Sequence, residues 1–123
     1  FCTIECVKVD SLSGLWKIGF RDDFRQSSSF LEIRQIPKTV ADLHRKFSVN
    51  WISAQGLLLG VGLGSEDNGS FVARLRTTQG VFEVSVAPMY TLDLHNLAFY
   101  EYQVVIRDLA HSTVVVNHWM IRM

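Results

Sequence analysis

Apolar and polar residues alternate with a period of two along most of this chain. In Lys46-Phe47-Ser48-Val49-Asn50-Trp51 the alternation is strict. In Gly80-Val81-Phe82-Glu83-Val84-Ser85-Val86 it places Phe82, Val84 and Val86 on one face. In Tyr100-Glu101-Tyr102-Gln103-Val104-Val105-Ile106 the even positions form the apolar face. This period belongs to half-buried antiparallel strands, and the β-branched and aromatic residues that strands favour dominate the runs. The punctuation agrees. Gly56, Gly60, Gly62, Gly64, Gly69 and Gly80 fall between or at the edges of apolar runs. Ser65 to Ser70 is a polar turn, and Arg107 to Ser112 reads as a hairpin loop between two strong strands. The pattern predicts strands near 14–20, 29–36, 45–52, 57–63, 70–77, 81–87, 90–94, 100–107 and 112–119. Thr39 to Arg45 is the one helical candidate, about two turns long. Strands at this spacing with no helices between them predict an all-β fold. The main expectation is an antiparallel β-sandwich of jelly-roll type, and the alternative is a closed barrel.

Composition narrows the class. A chain of 123 residues has room for one domain, 1–123, with one core, and a hydrophobic fraction of 48% is enough to fill it. The 12 basic residues are balanced by 12 acidic ones, so no basic excess is available to neutralise phosphates, which argues against nucleic acid as a partner. The longest apolar stretch, Gly56 to Gly64, carries four glycines and is far shorter than the roughly 20 residues of a helical membrane span. Phe1 stands first, which implies that a signal peptide, a neighbouring domain or another segment preceded it. The C-x-x-x-C spacing of Cys2 and Cys6 is not a good zinc or thioredoxin signature. A local disulfide between them would fit an oxidising compartment, and the alternative is two free thiols.

No catalytic motif is present: there is no G-x-S-x-G, H-E-x-x-H, P-loop or G-x-G-x-x-G. Gly60-Val61-Gly62-Leu63-Gly64 lacks the P-loop lysine and reads as a strand packed closely on a neighbour. His44, His95, His111 and His118 do not have the i, i+2 spacing of ligands on one strand, although His111 and His118 could face each other loosely across a hairpin. The expectation is a non-enzymatic protein without a cofactor. Asn68-Gly69-Ser70 is an N-glycosylation sequon, and Asp67 and Asn68 supply oxygens for a weak calcium site in the same loop.

One stretch resembles a family. Ser29-Phe30-Leu31-Glu32-Ile33 is followed by Lys46 to Trp51, then Gly56-Leu57-Leu58-Leu59, Gly69-Ser70-Phe71-Val72-Ala73-Arg74-Leu75 and Gly80-Val81-Phe82-Glu83-Val84. This order is similar to laminin G-like domains, extracellular β-sandwiches, over about 29 to 86. The resemblance implies that Gly56 turns the chain, that Leu57 to Leu59 form a central strand, and that Phe71, Ala73 and Leu75 face the core. The family's calcium-ligand aspartate has no counterpart at Gly69-Ser70, and Asp67 lies two residues earlier. A second, shorter resemblance competes. Gly14-Leu15-Trp16 with the late Arg122 is similar to lipocalin-type barrels, where a late arginine packs over the tryptophan.

These readings converge on an extracellular or secreted binding module that recognises a protein or glycan through loops at one rim. The loops are 21–28, 64–70, 87–90 and 107–112, with Arg21, Asp22, Asp23, Arg25, Glu66, Asp67, Asn68, Tyr90 and His111 as candidate contacts. The alternatives are a lipocalin-like carrier of a small apolar ligand and an assembly subunit. The expected core is Trp16, Phe47, Val49, Trp51, Leu58, Phe71, Phe82, Val84, Tyr102, Val104, Ile106, Val114 and Val116. The apolar tail from Val114 to Met123 is guarded only by Arg122, with His118 uncertain. It is therefore either flanked on both sides or an edge that pairs with another chain.

Overall fold

The computed structural model describes residues 12–19, 29–37, 45–67, 70–92 and 98–123; for 67, 88–92, 98–101 and 121–122 it describes the backbone alone. Eight strands follow one another: β1 (Gly14–Gly19), β2 (Ser29–Gln35), β3 (Arg45–Ser53), β4 (Leu58–Asp67), β5 (Ser70–Thr77), β6 (Gly80–Leu92), β7 (Ala98–Asp108) and β8 (Thr113–Arg122). Each pairs antiparallel with the next, and β8 returns to pair with β1, so the sheet closes into a barrel. The sandwich expectation is thereby corrected in favour of the barrel alternative. Alternation of period two is common to both, because each buries one face of every strand. The stagger is that of a tilted barrel. Following the ladders from Gly14 through Ile33, Val49, Gly62, Leu75, Phe82 and Asp108 arrives at Thr113, whereas β8 meets β1 at its far end, where Trp16 faces Arg122.

Most strands lie where the pattern put them. The segments 81–87 and 90–94 merge into the single strand β6, which runs through Pro88. β6 has outrun β5 by then, because their last pair is Phe71–Val86, so Pro88 needs no amide hydrogen on that side. Arg45 opens β3 rather than ending a helix; the rest of that helical candidate, 39–44, lies outside the described residues. β8 lies between β7 and β1, so of the two alternatives for the carboxyl-terminal strand the flanked one holds and the open edge does not.

The barrel is filled from its inner face. Ile18, Leu31, Ile33, Val49, Phe71, Leu75, Val84, Val104 and Ile106 are fully buried, and Phe47 nearly so. Of the predicted core, Leu58 and Val114 are instead exposed, at 61% and 49%. Both corrections have one cause. The register shifts between Trp51 and Ile52, so that Leu58 pairs with the outward Ile52, and again between Ile106 and Arg107, so that Val114 pairs with the outward Arg107. A bulge inserts one residue and exchanges the faces beyond it. The expected central strand does begin β4, which pairs with β3 and β5, but it starts at Leu58, and Leu57 before it is also exposed.

β4 is the tightest part of the wall. Its inward positions are Gly60, Gly62 and Gly64, facing Trp51, Val49 and Phe47 on β3. A methyl group on Gly62 would fall 1.8 Å from the Arg74 carbonyl oxygen, and one on Gly64 would fall 2.6 Å from the Phe71 ring. The missing side chains let β3 and β5 close over β4, where Phe47 and Phe71 meet edge to face at 5.5 Å. Close packing was the expected role of this Gly-x-Gly-x-Gly run, and it is the observed one.

Candidate functional site at the barrel mouth

The two ends of the barrel differ. At the base, near the start of β1, Trp16 is buried; its indole Nε1–H donates to the Leu12 carbonyl at 2.9 Å and its ring meets Tyr102 at 5.2 Å. Trp16 and Arg122 are backbone partners across the β1–β8 ladder.

The other end, the mouth, carries the β3–β4, β5–β6 and β7–β8 turns. Its inward aromatic residues are Trp51 and Phe82, whose rings lie 5.9 Å apart. Phe82 is buried, whereas Trp51 is only partly covered. Trp51 was expected in the core. Its register is inward as predicted, opposite Leu31 and Gly60, so its exposure comes from its place near the mouth and not from a slipped strand. Its indole N–H donates to Ser29 Oγ at 3.0 Å, which fixes the ring plane.

Above this aromatic floor stand the last inward residues of β3, β5 and β7: Ser53, Thr77 and Asp108. Each uses a side-chain oxygen to accept the amide N–H two residues on. Gln55 donates to Ser53 Oγ at 3.2 Å, Gln79 to Thr77 Oγ1 at 3.0 Å and Ala110 to Asp108 Oδ1 at 3.0 Å. Further bonds tighten each turn. Leu57 N–H also donates to Ser53 Oγ, Thr77 Oγ1–H donates to the Gly80 carbonyl, and Leu109 N–H donates to the Val81 carbonyl. Gly56 and Gly80 supply the positive φ, 89° and 124°, that these connections need. Ser53-Ala54-Gln55-Gly56 and Thr77-Thr78-Gln79-Gly80 thus share one pattern, a hydroxyl residue followed by glutamine and then glycine. That signal was legible in the sequence and was passed over.

The third turn closes through a charge. His111 Nδ1 lies 2.7 Å from Asp108 Oδ2. An ionised carboxylate only accepts, so Nδ1 carries the hydrogen. This bond, and the Ala110 amide after it, hold the Asp108 carboxyl below its ordinary pKa against the opposing effect of burial. The side-chain oxygens of Ser53, Thr77 and Asp108 are therefore committed to the turns, and beneath them Trp51 and Phe82 present apolar surface.

The predicted contact residues do not assemble here. His111 is at the mouth, whereas Glu66 and Asp67 end β4 at the base, paired with Phe71 and Ser70. Tyr90 is inside β6, opposite Tyr100 at the base, so 87–90 is a strand and not a loop. The segment 107–112 is at the mouth and 64–67 at the base, so the predicted loops do not form one rim; 21–28 lies outside the described residues. Arg21, Asp22, Asp23, Arg25 and Asn68 lie outside the described residues, as do Cys2, Cys6, His44 and His95. His111 and His118 are not across a hairpin from each other, since one is in the turn and the other is on β8 opposite Val104. Among the described residues no cluster of three or more His, Cys, Asp or Glu is placed to hold a metal ion.

Leu58 to Val61, Arg76, Thr77 and Thr78 line an open groove of about 250 Å³ between β4 and β5. A closed antiparallel barrel with one aromatic-floored mouth is the class that this geometry defines. Compared with protein-family models, characterised proteins and solved structures, the chain matches none of them.

Proposed function

We propose that this protein is a non-catalytic binding barrel that takes a small, predominantly apolar ligand at the mouth floored by Trp51 and Phe82. The observation that carries the reading is Trp51: an inward aromatic residue, oriented by Ser29 and tilted against Phe82, that the barrel leaves partly uncovered. Eight-stranded barrels enclose a lumen that is either filled by side chains or holds one small ligand. Here the base and middle are filled by Trp16, Phe47, Phe71 and the aliphatic residues around them, which leaves the mouth as the place for a guest. The turns around it are locked by their own hydrogen bonds, so little ordering opposes binding. Recognition through apolar contact follows, because Ser53, Thr77 and Asp108 already serve the backbone.

The test is a titration with a polarity-sensitive naphthalene dye, followed by displacement with fatty acids and flat aromatic compounds. Trp51→Ala is expected to weaken dye binding about tenfold, since an aromatic contact contributes about 0.5–1.5 kcal/mol beyond its buried area. Equal affinity in wild type and Trp51→Ala would refute the site.

A further inference from the structure

Of the ten exposed large apolar residues among the described ones, five flank the turns of the mouth; Val61, Leu63 and Val72 lie along the outer wall and Leu15 and Met123 at the base. Leu57 is 66% exposed and Leu58 61% at the β3–β4 turn, Val81 41% beside the β5–β6 turn, and Val114 and Val115 49% and 48% after the β7–β8 turn. The turns themselves, 54–57, 78–79 and 109–112, contain no Lys, Arg, Asp or Glu. Apolar side chains thus flank all three turns at this end of the barrel, while the turns themselves keep polar residues at Gln55, Thr78, Gln79 and Ser112 and the third closes through the Asp108–His111 pair. They are not slack: Leu57 is held outward by its N–H bond to Ser53 Oγ at 3.0 Å and by Ser53 N–H donating to its carbonyl at 2.7 Å.

Cations stand just behind the turns. Arg76 on β5 is outward between Val61 and Val81, and Arg107 on β7 is outward between Glu83 and Val114. Both are exposed. The carboxylates nearest them among the described residues are engaged elsewhere, Glu83 with Arg74 at 3.8 Å and Asp108 with His111. Apolar tips with arginines set back by a few residues match the layering of an anionic bilayer surface, which offers hydrocarbon beneath a negative headgroup layer. A protein partner fits less well. The apolar residues are spread over three separate hairpins around an opening, whereas a specific protein interface centres on one continuous patch.

We infer that the mouth docks onto an anionic membrane surface, so that the ligand passes between the bilayer and the Trp51 site without crossing water. The inference rests on the mouth being the binding end. Leu57 and Leu58 enter the headgroup boundary, and Arg76 and Arg107 lie against the anionic headgroups. Screening by salt weakens the second contribution and leaves the first.

The test uses the full chain with vesicles of phosphatidylcholine alone and of phosphatidylcholine containing phosphatidylserine, read by co-sedimentation at low and high salt. Binding is expected to rise with phosphatidylserine and to fall with salt. Leu57→Ser with Leu58→Ser is expected to lower it at least tenfold on both vesicles. Arg76→Gln with Arg107→Gln is expected to remove most of the phosphatidylserine dependence, since each cation near such a surface contributes about a fivefold factor. All four side chains are exposed, and thermal unfolding of each variant checks that the barrel is intact. The leucine variant is expected to keep the wild-type affinity for the naphthalene dye in solution, which separates docking from the ligand site. No binding to either vesicle, binding indifferent to phosphatidylserine, or full binding by both variants would overturn the inference. Loss of dye affinity in Trp51→Ala with no vesicle binding would leave the mouth site standing and point to a protein receptor instead.

Discussion

Two side chains at the mouth illustrate how residue chemistry sets its behaviour. Trp51 is inward but partly uncovered, and its N–H bond to Ser29 fixes the ring near the mouth. Asp108 acts through charge. Its carboxyl is held below its ordinary value of 3.8, chiefly by the hydrogen bond from His111. A group whose folded pKa is depressed stabilises the fold above its unfolded value, and that contribution is lost as the pH falls through the folded value. Acid titration is therefore expected to loosen the β7–β8 turn at and below the ordinary carboxylate range. Asp108→Asn is expected to flatten the acid limb of the stability curve, measured by urea unfolding at a series of pH values. An unchanged acid limb in Asp108→Asn would show that the bond contributes nothing there.

At the level of the strands, the alternation made most of the barrel legible and the bulges hid the rest. Phe71, Ala73 and Leu75 are inward as read, and so are Phe82, Val84 and Val86. Leu58 and Val114 were misplaced because single-residue bulges at Trp51–Ile52 and Ile106–Arg107 exchange the faces, and hydrophobicity alone does not announce an inserted residue when both faces are apolar. Both bulges bear on the candidate mouth, since they are what turn Leu58 and Val114 outward. The glycines of β4 were legible for a different reason: three in alternate positions leave one face bare. Gly62→Ala is expected to be among the most damaging single-methyl changes in the chain, because the methyl would meet a carbonyl oxygen and not a side chain that could move. Overpacking of this kind costs about 1–3 kcal/mol or more. Leu63→Ala, on the exposed outer face of the same strand, is expected to change stability by no more than about 0.5 kcal/mol. Chemical denaturation of the two variants compares them directly, and equal costs would mean that β4 is not the tight wall described here.

For the whole molecule, closure is what the sequence could not reveal. Whether eight amphipathic strands stack as two sheets or close into one depends on whether β8 reaches β1, a contact between the two ends of the chain that no local pattern encodes. Closure also decides which residues share an end. It brings Ser53, Thr77 and Asp108 together at one end and sends Glu66, Asp67 and Tyr90 to the other, so a contact set assembled from charged and polar loops was divided between opposite ends. The residues that build the mouth are hydroxyls and aromatics that look ordinary one at a time. The most direct measurement is a map of backbone amide shifts by nuclear magnetic resonance during titration with a long-chain fatty acid or the naphthalene dye. The mouth site requires the largest shifts at Ser29, Trp51 to Ser53, Thr77, Phe82 and Asp108, with Trp16, Phe71 and Tyr102 nearly still. Shifts centred on Glu66, Ser70 and Tyr90, or confined to the outer groove at Val61 and Arg76, would contradict it.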